Sequence, residues 1–167
     1  MITPPLNPLR LPPLSLYIHI PWCVQKCPYC DFNSHAQKGT IPEQAYVRHL
    51  LADLTADLSH YQESVQQRPL HSIFIGGGTP SLFSAENIAF LLQQIEQRIP
   101  FAPNIEITLE ANPGTAEATR FLGYAKAGVN RISMGIQSFS DEKLQKLGRI
   151  HNAAEAKSAV GFARVSP

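Results

Sequence analysis

A chain of 167 residues with 44% hydrophobic and 16% charged side chains can bury a core, and its composition excludes wholesale disorder. A formal net charge of +1 gives no basic field for nucleic acid or an anionic membrane. No apolar run approaches the roughly 20 residues that span a bilayer, and the proline-rich start lacks the apolar stretch of a signal peptide, so the expectation is a soluble, cytoplasmic protein.

Met1–Pro13 carries five prolines and reads as an extended N-terminal arm, with residues 14–167 forming the domain proper. Leu14–Ile20 follows as a strand, its Tyr17, Ile18 and Ile20 being β-favouring. Pro21 stops it, and Trp22–Gly39 is expected to be a loop. Thr40-Ile41-Pro42-Glu43 matches a capping box, and Val47, Leu50, Leu51, Leu54, Leu58 and Tyr61 recur at helical spacing behind it. Leu70–Ile75 is a second strand running into Gly76-Gly77-Gly78. Ser84 caps a helix whose buried stripe is Ile88, Leu91, Leu92, Ile95 and Ile99. Ile105–Ala111 is a third strand, Thr115–Ala127 a helix ended by Gly128, and Arg131–Ile136 a fourth strand. Ser140 opens a short helix ending near Gly148, and Ala153–Arg164 is helical again.

Strand and helix alternating four times imply an α/β fold with parallel strands joined by crossovers. The alternation fits a βα-barrel or an open doubly wound sheet and does not separate them. The chemically unusual residues fall at or just after the strand ends: Tyr17 and the cysteine loop, the glycine triplet, Glu110 with Asn112, and Gln137. Parallel α/β folds place ligands at that edge, where loops converge on one mouth.

All three cysteines lie within that first loop, as Cys23, Cys27 and Cys30 in CxxxCxxC spacing. An odd, clustered set argues against a disulfide framework. Thiolates are soft ligands, and three on one short loop suit an iron–sulfur cluster or a zinc ion. Zinc would need a fourth ligand from His19 or His35, and structural zinc sites normally join two separated ligand pairs. Cys27 and Cys30 form a CxxC pair, which is weak as a redox motif without a thioredoxin-like context. With three protein thiolates, one iron of a four-iron cluster stays open to a small molecule.

The other strand ends are ambiguous taken singly. Gly76-Gly77-Gly78-Thr79-Pro80 is either a tight turn or a place where backbone approaches a ligand; no Lys-Ser/Thr pair follows, so it is not a GxxxxGK[ST] phosphate loop. Glu110 reads as a solvated strand end or as a ligand contact. Gln137 and Arg149 are ordinary surface residues if each stands alone. His49, His60 and His71 fall on helical or loop surfaces.

Tyr17-Ile18-His19-Ile20-Pro21-Trp22-Cys23, followed by Cys27-Pro28-Tyr29-Cys30-Asp31-Phe32, resembles the cluster loop of radical S-adenosylmethionine (SAM) proteins. Within them it is similar to the oxygen-independent coproporphyrinogen oxidase branch, which includes coproporphyrinogen dehydrogenases and related haem chaperones. The likeness runs from about Leu14 to about Gly161. It implies a partial TIM-like (β/α) barrel of which about four βα units are present, and a 4Fe–4S cluster on Cys23, Cys27 and Cys30. It also implies SAM chelating the open iron, as a source of a 5′-deoxyadenosyl radical once the cluster donates an electron. Tyr17, Tyr29, Gly77, Gly78, Thr79, Glu110, Gln137 and Arg149 match family positions that contact this nucleotide.

The resemblance implies haem or a porphyrinogen as partner, haem-accepting apo-proteins, and an electron-donor protein. The dehydrogenases carry a fourth cysteine where this chain has Phe32, and a longer segment before the loop. Both departures favour a haem chaperone over oxidative decarboxylation of coproporphyrinogen III, with a radical enzyme acting on another substrate as a third reading. His151-Asn152 begins like the chaperones' HNxxYW motif, but Glu155 and Ala156 stand where Tyr and Trp belong. Family barrels have six βα units, so the expectation is an incomplete domain with an open edge at Arg131–Ile136 and without full activity.

Overall fold

The computed structural model describes residues 11–115 and 118–165; most of the expected N-terminal arm lies outside the described residues. In chain order the elements are β1 (Leu14–Ile20), the two-residue β2 (Trp22–Cys23) and β3 (His35–Ala36), α1 (Glu43–His60) and α2 (Gln62–Val65). There follow β4 (Leu70–Gly77), α3 (Ala85–Glu96), β5 (Phe101–Ala111), α4 (Ala118–Lys126), β6 (Arg131–Met134), α5 (Asp141–Lys146) and α6 (Ala153–Val165). One four-stranded sheet forms in the order β1-β4-β5-β6, every pair parallel. Among the described residues the strand order follows the chain without reversal, the order of a (β/α) barrel wall.

Period-two alternation decides which face is dry. Ile18 and Ile20, Ile73 and Ile75, and Ile107 and Leu109 are buried on one face against α1, α3 and α4. Val47, Leu51, Ile88, Leu91, Leu92, Ile95, Phe121 and Tyr124 complete that core from the helices. Each fully buried aliphatic side chain there contributes about 1.5–3 kcal/mol. The opposite face carries rows set by the strand register. Ser15 pairs with Ser72 and that with Glu106; Tyr17 pairs with Phe74, that with Thr108, and that with Arg131. The top row pairs His19 with Gly76 and Glu110 with Ser133.

Ser84 caps α3 as expected, its hydroxyl accepting from Asn87 N at 3.3 Å. The Thr40 capping box does not form. α1 begins with Pro42 at the cap and no side-chain cap bond. Glu43 turns away to α3, where its Oε2 accepts from Ser84 N (2.9 Å), Ser84 Oγ (2.8 Å) and Asn87 Nδ2 (2.7 Å). Three donors in a half-buried setting outcompete one backbone N–H. The apolar stripe of α1 also ends at Leu58, since Tyr61 is exposed beyond the helix.

Two helices end in the same backbone device. Gly128, at φ +106°, donates to Ala125 O while Val129 N donates to Tyr124 O; Gly148, at φ +65°, donates to Gln145 O while Arg149 N donates to Leu144 O. Both are Schellman closures, whose left-handed residue glycine supplies without strain. β6 stops at Met134, short of the expected Ile136, because the chain turns at Ile136 N–Met134 O and Ser138 N–Ile136 O contacts.

Candidate cofactor site at the strand ends

Ile20, Trp22 and the glycine triplet knit the site's floor. Gly78 N donates to Ile20 O and Thr79 N to Trp22 O, each at 2.7 Å, so the glycine loop is laced to the start of the cysteine loop. No side chain fits at these glycines: a Cβ would sit 2.7 Å from the Phe74 ring at Gly76, 2.7 Å from the His19 ring at Gly77, and 2.6 Å from Trp22 O at Gly78. Gly77 also has φ +116°. The triplet is therefore packed against the Phe74 and His19 rings at Gly76 and Gly77 and against Trp22 backbone at Gly78, which accounts for its glycines as a tight turn. Glu110, at the top of β5, accepts from Gly77 N at 3.0 Å through Oε2.

Behind this wall, α4 clamps the 80–83 turn. The buried Tyr124 hydroxyl contacts Ser81 O at 2.9 Å and Phe83 O at 2.7 Å, and Arg120 Nη1 donates to Ser81 O at 2.9 Å. Burial pushes the Tyr124 phenol up to about 12, so it stays a donor.

The cysteine loop is tied at its base and exposed at its crown, where Lys26 Nζ donates to Phe32 O at 3.3 Å and Cys30 N to Cys27 O at 3.1 Å. β2 and β3 pair Trp22 with His35 and Cys23 with Ala36, a short ladder within the stretch expected to be plain loop. His19 Nε2 lies 2.7 Å from Asn33 O and its Nδ1 2.8 Å from the Tyr17 hydroxyl. With the ring proton on Nε2, the imidazole donates to the loop and accepts from Tyr17. Burial first, and the Glu110 carboxylate second, hold the Tyr17 phenol above its ordinary value, which keeps it a donor. Cys23 is buried, while Cys27 and Cys30 are half-buried and all three are free thiols.

A cavity of about 310 Å³ opens between these loops. Cys23, Cys27, Cys30, Tyr29, Gly77, Gly78, Thr79, Glu110, Gln137 and Arg149 all line it. Tyr17 does not. It stands one row down the inner face, with its ring stacked on Phe74 at a centroid distance of 6.3 Å. Phe32, Asn112 and Ser133 join the lining. Gln137 adopts φ +69°, a left-handed conformation that costs a non-glycine residue about 1 kcal/mol and that concentrates at functional sites. Arg149 reaches across, with Nη2 on Gly135 O at 2.6 Å and Nη1 at 3.3 Å from both Cys27 Sγ and the Tyr29 hydroxyl; its buried Nε has no acceptor. The contact with Cys27 is long-range in sequence and carries no local signal.

The donor set fits an iron–sulfur cluster. Among the described residues no three His, Cys, Asp or Glu side chains lie close enough to share a single ion. Three soft thiolates that all line one cavity are the donor type an iron–sulfur cluster takes. Of the histidines considered for zinc, His19 has both ring nitrogens engaged and His35 is exposed on β3. His151 is buried, with Nε2 3.1 Å from Ile136 O; burial lowers its pKa below the ordinary value. Asn152 and Glu155 bond each other's backbone N–H groups at 2.9 and 2.8 Å, a capping box that opens α6 and that sequence reasoning missed. The His-Asn pair is thus structural here.

A parallel barrel wall, with three thiols and a glycine-lined cavity at its strand ends, defines a class. The model of the radical SAM superfamily matches residues 17–165, and the chain belongs to that family, whose members carry a 4Fe–4S cluster and SAM. Among curated relatives, it is 76% identical over 157 residues to the heme chaperone HemW of Haemophilus influenzae, covering 94% of this chain and 41% of that protein. It is 61% identical over 155 residues to heme chaperone HemW of Escherichia coli, covering 93% and 40%. Among solved structures, coproporphyrinogen III oxidase (HemN) of Escherichia coli, described as a radical SAM enzyme, superposes with a TM-score of 0.75 at 28% identity, over 91% of this chain and 34% of that one. The chain therefore spans about two-fifths of the length of the curated relatives it matches. No helix among the described residues is long and apolar enough to cross a membrane.

Proposed function

We propose that this chain is the cofactor-holding part of a haem chaperone, a protein that binds haem and transfers it to apo-proteins in the cytoplasm. The observation that carries this reading is the 76% identity, over nearly the whole chain, to a relative named for that role. Phe32 supports it from within the site: it lines the cavity where the decarboxylating branch places a further cysteine. Three free thiols suit a reducing compartment.

In this reading Cys23, Cys27 and Cys30 hold the cluster. When bound, the cluster and SAM supply one-electron chemistry that no side chain here provides. Gly77 and Gly78, whose places a Cβ would not fit, and Thr79 beside them present backbone to the cavity. Glu110, Gln137 and Tyr29 orient the nucleotide, and the unpartnered Nε–H of Arg149 offers it a donor whose burial cost a bound acceptor would offset. Tyr17 acts from the row beneath, through His19. An electron-donor protein would approach the exposed crown of the cysteine loop.

The test has two arms. Anaerobic reconstitution with iron and sulfide, followed by electron paramagnetic resonance with and without SAM, is expected to show a cluster whose spectrum changes with the nucleotide. Haem titration is expected to show stable binding and release to an apo-haem protein, with no decarboxylation of coproporphyrinogen III. Turnover of that porphyrinogen without stable haem binding would replace the chaperone reading with the oxidase one.

A further inference from the structure

Arg149 enters the cavity from the end of α5, and backbone geometry sets where it stands. The Schellman closure of α5 makes Arg149 the residue immediately after the left-handed Gly148. A side chain at Gly148 would meet the Pro28 ring at 2.9 Å, so the helix end is pressed against the middle of the cysteine loop. From there the guanidinium spans two loops. Its Nη2 bond to Gly135 O fixes the plane of the fork, and that plane delivers Nη1 to within 3.3 Å of Cys27 Sγ. A guanidinium keeps its proton throughout the physiological range, so the sulfur faces a permanent cationic donor. The three thiols are consequently unequal. Cys30 Sγ has the neutral Ser34 hydroxyl at 3.8 Å, and Cys23 lies at the buried base of the loop.

We propose that Arg149 is a positioning residue that sets the reduction potential of the cluster by donating a hydrogen bond to the Cys27 sulfur. This rests on the reading of the three thiols as cluster ligands. Hydrogen bonds and positive charge at a ligand sulfur stabilise the reduced, more negative cluster and so raise its potential. Gly148 and Gly135 O are the parts that keep the donor aimed.

The test is a potentiometric titration, followed by electron paramagnetic resonance, of anaerobically reconstituted wild type, Arg149→Lys and Arg149→Met, all without SAM. Arg149→Met is expected to shift the midpoint to a more negative value. Arg149→Lys keeps a charge but cannot bridge Gly135 O and Cys27 with one rigid fork, and is expected to shift it part of the way. A Met variant with full iron and sulfide content and an unchanged midpoint overturns the proposal. So does one that loses the spectral response to SAM at an unchanged midpoint, because Arg149 would then act on the nucleotide alone. If the Met variant holds no cluster, the Lys variant decides by the same criterion. A wild-type cluster that ignores SAM sinks the functional reading while leaving the midpoint comparison to stand; a wild type that takes up no cluster sinks both.

Discussion

The glycine loop and the cysteine loop face each other across one cavity and are built on opposite plans. Gly76 and Gly77 are buried and Gly78 half-buried; the loop is laced to neighbouring backbone and leaves no room for a single added carbon. The cysteine loop is anchored at Cys23 and Ser34, while Val24, Tyr29 and Phe32 stand exposed at its crown. One wall is finished by protein packing; on the proposed function, the other would be completed by what its thiols hold. The difference teaches that tight backbone packing and soft sulfur donors sit on separate segments of one site.

That contrast can be broken or sharpened by substitution. Gly78→Ala is expected to have the largest effect on stability, a loss of about 3 kcal/mol or more by denaturant unfolding, because its Cβ collides with immovable backbone at Trp22. Glu43→Ala removes the acceptor shared by Ser84 N, Ser84 Oγ and Asn87 Nδ2, leaving Asn87 Nδ2 only Ser84 Oγ, and is expected to cost about 2–3 kcal/mol. Tyr124→Phe removes the clamp behind the glycine loop, with an expected loss of about 1–2 kcal/mol. A smaller, pH-gated effect belongs to His151, at the flank of the cavity. Its pKa is lowered in the folded state, so folding stability is complete above the ordinary histidine value near 6.5 and is lost as pH falls through the depressed one. Unfolding curves of His151→Gln should flatten that acid slope. Cys27→Ala, on the exposed side of the contrast, is expected to change the stability of the metal-free chain by less than about 0.5 kcal/mol while abolishing cluster uptake, read as iron and sulfide content. A large loss of stability there would erase the distinction between the two loops.

Much of the frame was legible because local signals and tertiary packing agreed. The Ile88–Ile99 stripe, the Ser84 cap and the Gly128 and Gly148 terminators each have a mechanism confined to a few residues. The choice between barrel and doubly wound sheet was not legible, since it depends on strand order and no local pattern encodes that. Glu43 misled for a related reason: its sequence neighbours spell a capping box, yet Ser84 and Asn87 arrive from another helix and claim the carboxylate. Asn152 and Glu155 have the spacing of a cap, a local signal masked by the likeness of His151-Asn152 to the start of HNxxYW. The cysteines announced themselves by spacing, but the reach of Arg149 to Cys27 depends on how a left-handed glycine aims a helix end, which a linear reading does not supply.

The strand ladders have a kinetic consequence. Every pairing in the main sheet is parallel and closes only across an intervening helix, beginning with Leu14 beside Leu70. Such non-local topology folds slowly, because chain entropy is surrendered before the contacts return it. The thiols are close together in sequence, whereas the opposing wall and the Arg149 end take their places only through those non-local registers. If the thiols hold the cluster as proposed, iron uptake should follow the slow phase of refolding and not the initial collapse, and the sheet would time when the metal is captured.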